Sequence, residues 1–491
     1  MSIDPAQPIP LYYQLKTLLL EEILSGRYGS DDRLPTEHEL CKQYAISRTP
    51  VTRALSELAE EGVILRHRRR GTFVNPHWLR RRPDQPEVRV VVSEGPWGDL
   101  IRDAAPEEIQ VNLITVPLPS LHQALTHAVA EGQAPDLAIL DSVWIPEFAV
   151  DGFLLPLADL DADWLRREHD DDFLEPLVEA NRYDGRTFGV SPFANVAGFW
   201  YRRRALESLG VLPPRTWAEL RAVGRAAARN GSRHPIVMTG GSKGGETTAY
   251  CLIAFLESNG AHVLTPEGVT LDSRAAAQAL RFLRSLIDEG LMSAEVLGYE
   301  WTKPIRLLAE GKAAISFGGS YETRTLAETL DVPLENLWDH VGFMPVPAGP
   351  TGAPATVAGT MSYGIFRQAP QPGLAMRLLQ RAVAPEELAR VARTTGRIPA
   401  RRSAVEMTAP SPPFLSQTVG LLERAAIRPP TPLYPRVSAQ LQAMLEATLT
   451  GRLGAAAAAR RTAELIGAIT GLPVLHEVEA APPPRATAVA G

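Results

Sequence analysis

The sequence predicts a multidomain chain: a short α+β module of three helices and one β-hairpin, followed by a much larger α/β domain. Three observations carry this expectation. Apolar residues recur at helical spacing through the first sixty residues and then give way to two short apolar runs; strand-like and helix-like stretches alternate from Val88 onward; and the charge changes sign between the two parts. Up to Arg82 the chain carries 13 basic against 10 acidic side chains, and beyond it 37 against 46, so the net charge of -6 conceals a cationic head and an anionic body. Only the head has a balance suited to a polyanion.

A chain of 491 residues exceeds one ordinary domain. Hydrophobic content of 45% and charged content of 22% are those of a soluble globular protein and argue against a membrane class. Cys41 and Cys251 are the only cysteines, too few for a disulfide framework or a zinc cluster, which fits a reducing compartment. Residues 1–10 have neither a basic nor an apolar region of the kind that directs export, and no later apolar run is long enough to span a bilayer. The expectation is therefore a cytoplasmic protein with no membrane partner.

In chain order, Leu11, Leu15, Leu18, Leu19 and Ile23 share a helical face that closes near Gly26. Thr36 and Glu39 form a capping box that opens a second helix running to about Tyr44, and Ala45 and Ile46 make a turn. Ser47 stands where a cap for a third helix belongs; Val51, Leu55 and Leu58 make its apolar face, and Arg48, Thr49, Thr52 and Arg53 lie on its polar first turns. Gly62 ends that helix. Residues 63–65 and 72–74 then read as a hairpin whose tip is Arg66-His67-Arg68-Arg69-Arg70-Gly71. Three helices and a cationic wing make a winged helix-turn-helix, in which the third helix reads base edges and the wing meets phosphates or the minor groove. The residues expected at DNA are Arg33, Thr36, His38, Ser47, Arg48, Thr49, Thr52, Arg53, His67, Arg68, Arg69, Arg70 and Gly71.

Over positions 8–75 the sequence resembles the GntR family of bacterial regulators, through Leu34-Pro35-Thr36-Glu37, Ser47-Arg48-Thr49-Pro50-Val51, Ala54-Leu55, Leu58, Glu61-Gly62 and Gly71-Thr72-Phe73-Val74. The resemblance implies a DNA-binding module over residues 1–76, acting as a homodimer on a two-fold operator in duplex DNA. Two departures stand out. The family commonly has arginine where this chain has His38, and arginine directly after the valine where this chain has Thr52, with Arg53 one place later. One helical residue is about 100° of rotation, so Arg53 is expected to face the DNA backbone rather than a base.

Residues 77–87 contain Pro83, Pro86 and Arg80-Arg81-Arg82, a composition that suits a hinge or spacer. Beyond it, strands are expected at 88–92, 110–116 and 135–140 with a helix over 121–130. In such sheets ligands bind beyond the carboxyl ends of the strands, which puts residues 93–97 and 141–144 on candidate rims. Over about residues 88–472 the chain resembles the family 1 extracellular solute-binding proteins, the sugar-binding components of ABC importers, which implies a sensor domain over residues 88–475. The matching segments include residues 135–144, Pro213-Pro214-Arg215-Thr216-Trp217, Gly311-Lys312-Ala313-Ala314-Ile315, Gly318-Gly319-Ser320-Tyr321-Glu322 and Gly396-Arg397-Ile398-Pro399. What the resemblance implies is a two-lobed α/β domain of the type II periplasmic-binding-protein-like fold, closing about a hinge on a ligand held between the lobes. A tail over 476–491, with Pro482-Pro483-Pro484, is expected to be disordered.

Sugar sites need flat apolar surfaces for the faces of the ring and planar polar groups for paired hydroxyls. The residues expected to line such a site are Glu94, Trp97, Asp141, Ser142, Trp144, Asn195, Trp200, Ser242, Lys243, Glu246, Tyr250, Trp301, Ser320, Tyr321, Glu322, Thr360 and Tyr363, whereas Trp217 reads as core. Gly240-Gly241-Ser242-Lys243-Gly244-Gly245 departs from phosphate-loop spacing. No hydrolase or metalloprotease motif occurs and the ten histidines do not cluster as metal ligands, so neither an enzyme nor a cofactor nor a metal is expected. The sequence thus points to a transcription regulator whose DNA binding responds to a small-molecule effector, a sugar or oligosaccharide. The alternatives are a solute-binding component of an ABC sugar importer and a fusion to a pyridoxal-dependent aminotransferase-like domain. The second of these would need a Schiff-base lysine, for which no matching motif is present.

Overall fold

The computed structural model describes residues 3, 11–24, 26–29, 32–67, 70–76, 78, 86–408 and 413–476. The linker arginines Arg80, Arg81 and Arg82, the wing residues Arg68 and Arg69, and the tail beyond 476 lie outside the described residues. The chain divides into two units, Met1–Ala194 with Thr360–Ser411, and Asn195–Gly359 with Pro412–Gly491.

The first unit begins with helices α1 (Leu11–Leu24), α2 (Glu37–Tyr44) and α3 (Arg48–Glu60) and the hairpin strands β1 (Ile64–His67) and β2 (Gly71–Val74). Leu15, Leu18, Leu19 and Ile23 of α1 are buried together with Val51, Ala54, Leu55 and Leu58 of α3, against which α1 packs. The hairpin is antiparallel, Ile64 opposite Val74 and His67 opposite Gly71. Arg33 forms a bridge to Phe73, so the segment leading into α2 runs alongside the wing.

The α/β part of this unit follows: β3 (Glu87–Val92), α4 (Trp97–Ala104), β4 (Gln110–Thr115), α5 (Leu118–Ala130), β5 (Leu137–Asp141) and α6 (Ile145–Val150). β3 lies between β4 and β5, parallel to both. Val88, Val90 and Val92, like Leu137, Ala138, Ile139 and Leu140, are buried, as expected of parallel strands covered by helices on both faces. Val90 pairs with Leu137 and Val91 with Ala138. Continuing that register past the strand ends brings Glu94 level with Asp141, on the edge from which α5 starts. On the other side of β5 an antiparallel strand places Met361 opposite Asp141 and Tyr363 opposite Ile139.

In the second unit, His234–Val237 runs parallel to Ala313–Gly319, which pairs antiparallel with residues 197–201; Val341–Met344 flanks the same stretch. Phe199, Trp217, Phe255, Phe282 and Phe317 form one aromatic stack beside this sheet, with Phe199 and Phe317 centroids 4.4 Å apart and Trp217 and Phe282 4.7 Å apart. Stacked rings of this kind add about 0.5–1.5 kcal/mol per pair to the burial itself. No helix among the described residues is long and apolar enough to cross a membrane.

Candidate DNA-binding surface and ligand rims

The capping box of α2 is formed as expected: the Glu39 amide donates to Thr36 Oγ1 at 3.3 Å, and Glu39 Oε2 accepts from the Thr36 amide at 2.7 Å. Ala45 then takes a left-handed conformation, φ 52°, which turns the chain between α2 and α3. Ser47 occupies the cap position of α3 but its hydroxyl makes no capping hydrogen bond, contrary to the sequence expectation. Pro50 in the third helical position removes one of the two amides a cap can bond, and the Ser47 hydroxyl does not take up the other, that of Thr49.

Glu37 organises the surface. Its carboxylate accepts from Arg48 Nε at 2.9 Å and from an Arg66 terminal nitrogen at 2.6 Å, joining the first turns of α2 and α3 to the first strand of the wing. Burial pushes the Glu37 carboxyl up, but the hydrogen bonds and charges of Arg48 and then Arg66 outweigh it and hold the group below the ordinary carboxylate range. Arg48 nonetheless stays 81% exposed. His38, Ser47, Thr49, His67 and Arg70 are exposed too, and Thr36, Thr52 and Gly71 are partly covered. Gly71 has φ 115°, and a Cβ there would fall 2.9 Å from Arg33 Nε, so the Arg33 guanidinium lies against the tip end of the wing. Arg53 is restrained: its guanidinium sits 3.6 Å from the centroid of Tyr12 and its Nε bonds Glu57 Oε1 at 3.1 Å. Arg66 and Glu37 were absent from the sequence-derived set, because their pairing joins residues 29 apart in the chain.

In the first unit's α/β part, Asp141 and Trp144 are half-buried at the carboxyl end of β5. Asp141 Oδ1 accepts from the Val143 amide at 3.3 Å and starts the single turn Ser142–Trp144, in which Ser142 is buried. The Trp144 ring meets His122 edge-on at 5.1 Å. Glu94 is exposed on the neighbouring strand end, its Oε2 accepting from the Leu118 amide at 3.0 Å. Trp97, Thr360 and Tyr363, expected on the rim, are instead core residues. Tyr363 is fully buried and donates to the Trp97 carbonyl at 2.6 Å, Trp97 is covered by the Arg397 guanidinium at 4.8 Å, and Thr360 donates to the Phe193 carbonyl at 2.7 Å.

In the second unit, Trp200 is likewise a core residue, stacked on Trp338 and Phe414 with its indole N–H donating to the Gly319 carbonyl at 2.9 Å. Ser320 accepts from the Val196 amide at 3.1 Å, and Tyr250, buried, donates to the Val357 carbonyl at 2.9 Å. Glu322 is buried and accepts from the Gly319 amide at 3.0 Å; burial pushes its carboxyl up to about 8 in spite of that hydrogen bond. Glu246 is committed within the protein, to Arg428 at 2.9 Å, Tyr434 at 2.7 Å and Ser438 at 2.5 Å. What faces solvent among the candidate residues is Ser242 and Lys243 on one turn, and Trp301, 43% exposed, edge-on to the half-buried Tyr321 with ring centroids 6.1 Å apart. Asn195 Oδ1 is buried with no hydrogen bond among the described residues. The described residues hold no cluster of three or more His, Cys, Asp or Glu side chains suited to a metal ion.

Comparison with known proteins matches these two parts separately. Residues 97–388 match the bacterial extracellular solute-binding protein family and residues 11–74 the bacterial regulatory proteins of the gntR family. A Brucella abortus (strain 2308) binding protein is 27% identical over 335 residues, covering 66% of this chain and 78% of its own. The HTH-type transcriptional repressor NagR of Bacillus subtilis (strain 168) is 44% identical over 75 residues, 15% of this chain and 31% of its own. The maltose-bound MalE3 of T. maritima superposes with a TM-score of 0.69 at 25% identity, covering 78% of this chain and 99% of that one. The chain therefore belongs to the bacterial extracellular solute-binding proteins and carries a GntR-family winged helix-turn-helix at its N-terminal end, fused to a two-lobe α/β domain.

Proposed function

We propose that this protein is a cytoplasmic, sequence-specific transcription regulator that works as a homodimer on a two-fold operator and whose grip on DNA is changed by a sugar or oligosaccharide. The observation that carries the reading is the Glu37 network, which ties the recognition helix and the wing into one surface while leaving Arg48 exposed beside it. Such a surface serves both kinds of contact: arginine to base edges, and hydroxyls and wing cations to phosphates. The fused domain supplies an effector site by kinship, since the related MalE3 binds maltose. Within it, Asp141 beside Trp144 in the first unit, and separately Trp301 beside Tyr321 in the second, each pair an aromatic face with a polar group of the kind a sugar requires.

Thermal-shift screening against mono- and oligosaccharides tests the effector half, because a ligand bound only by the folded state at one hundred times its Kd adds about 2.7 kcal/mol of stability. Selection of duplexes from a random pool tests the other half. Recovery of a two-fold symmetric consensus is expected; recovery of no consensus would remove the regulator reading.

A further inference from the structure

The N-terminal module and the first lobe touch through α1, which packs against the start of α5. Tyr13 and Glu21, two helical turns apart, both reach the lobe. Tyr13, half-buried, lies beside the Glu94 carboxylate, and Glu21 Oε1 accepts from Ser120 Oγ at 2.5 Å. Burial, then the charge of Glu94 and its hydrogen bond, raise the Tyr13 phenol, so it remains a donor at neutral pH. Glu94 Oε2 also accepts from the amide of Leu118, the first residue of α5. Both contacts therefore converge on one place, the first turn of α5.

That turn has a second neighbour. His122, two residues past Ser120, places Nε2 2.8 Å from Glu147 Oε2 and its ring edge-on to Trp144 at 5.1 Å and stacked on Phe148 at 5.5 Å. One turn on from Tyr13, Lys16 Nζ pairs with Glu61 at 2.6 Å and Glu57 at 3.3 Å, both within or next to α3. Contacts thus reach the start of α5 from two sides, from Trp144 through His122 and from α1 through Ser120 and Glu94, and Lys16 joins α1 to the end of the helix whose first residue is Arg48.

We propose that the first turn of α5 is the coupling element of this protein, a docking surface for α1 that transmits occupancy of the Asp141–Trp144 rim to the recognition helix. The inference rests on the regulator reading and adds the route by which regulation travels. Tyr13 and Ser120 are positioning residues: they touch neither DNA nor ligand, and they act by holding α1 on the lobe. Coupling is reciprocal, and DNA bound at α3 must alter the rim as much as a ligand at the rim alters DNA binding.

Reciprocity permits a test that needs no ligand. Hydrogen exchange is followed in the full-length chain, with and without a duplex selected from a random pool by the parent protein. In the parent, the duplex is expected to change exchange rates about 5-fold or more over residues 118–124 and 141–148. A Tyr13→Phe, Ser120→Ala double variant is expected to bind the same duplex within about 2-fold and to lose that change, and Ser120→Thr, which keeps a hydroxyl, to retain it. The proposal is overturned if the double variant keeps the parent's response, or if the parent binds the duplex with no response in either segment. A parent that selects no duplex would instead remove the regulator reading itself, and the coupling with it.

Discussion

Glu37 is the acidic residue at the centre of a cationic surface, and its role is to spend one negative charge in aiming two arginines. With Arg48 and Arg66 bonded to its two oxygens, the guanidinium of Arg48 is fixed relative to the wing before DNA arrives. Replacing Arg48 by alanine is expected to weaken binding to a selected duplex by about 1–3 kcal/mol, read by fluorescence anisotropy, with the melting temperature unchanged. Unaltered affinity would place Arg48 away from the duplex. Glu322 makes a different case, because burial raises its carboxyl from 4.5 to about 8. The folded state then holds a proton that the unfolded chain has released, so the group's contribution to stability is complete below about pH 4.5 and is lost as pH rises through 8. Melting curves across pH 5–9 should show the parent losing stability more steeply than Glu322→Gln, which still accepts from the Gly319 amide. Parallel curves would mean that the carboxylate is ionised in the folded state.

At the scale of elements, local signals were legible and long-range ones were not. The Thr36 and Glu39 capping box needs only residues three apart, and it formed as read. Thr36→Ala is expected to cost the module about 0.5–2 kcal/mol in a denaturant titration, and a smaller loss would mean that tertiary packing alone holds α2. The cap at Ser47 failed where one of its two amides is missing, a detail also present in the sequence as Pro50 in the third helical position. The rim residues failed for a different reason. Strands Gly189–Arg202 and Val357–Ile365 are buried along nearly their whole length, so alternation does not separate an inward aromatic from one facing a ligand. Trp200 and Tyr363 therefore resembled binding residues while being core. Asp141 and Trp144, by contrast, follow a strand end directly, where chain position alone indicates the edge of the sheet. The Glu37 and Arg66 pair and the Ser120 and Glu21 contact join residues 29 and 99 apart, beyond the reach of any periodicity.

For the whole molecule, the division of charge sets a further expectation. DNA affinity should fall steeply with salt, since cations clustered at the head displace condensed counterions, whereas effector affinity should not. A sugar identified by its thermal shift is expected to bind with a Kd that is flat between 50 and about 200 mM salt by calorimetry; a steep dependence would point to an anionic effector. The central claim is that one chain joins a reader of duplex DNA to a sugar receptor so that each controls the other. Its most direct test is an anisotropy titration of a selected duplex, at fixed salt, with and without a saturating sugar that raises the melting temperature. The account requires the duplex Kd to change by about 5-fold or more in one direction. A Kd unchanged while the sugar is demonstrably bound would contradict it.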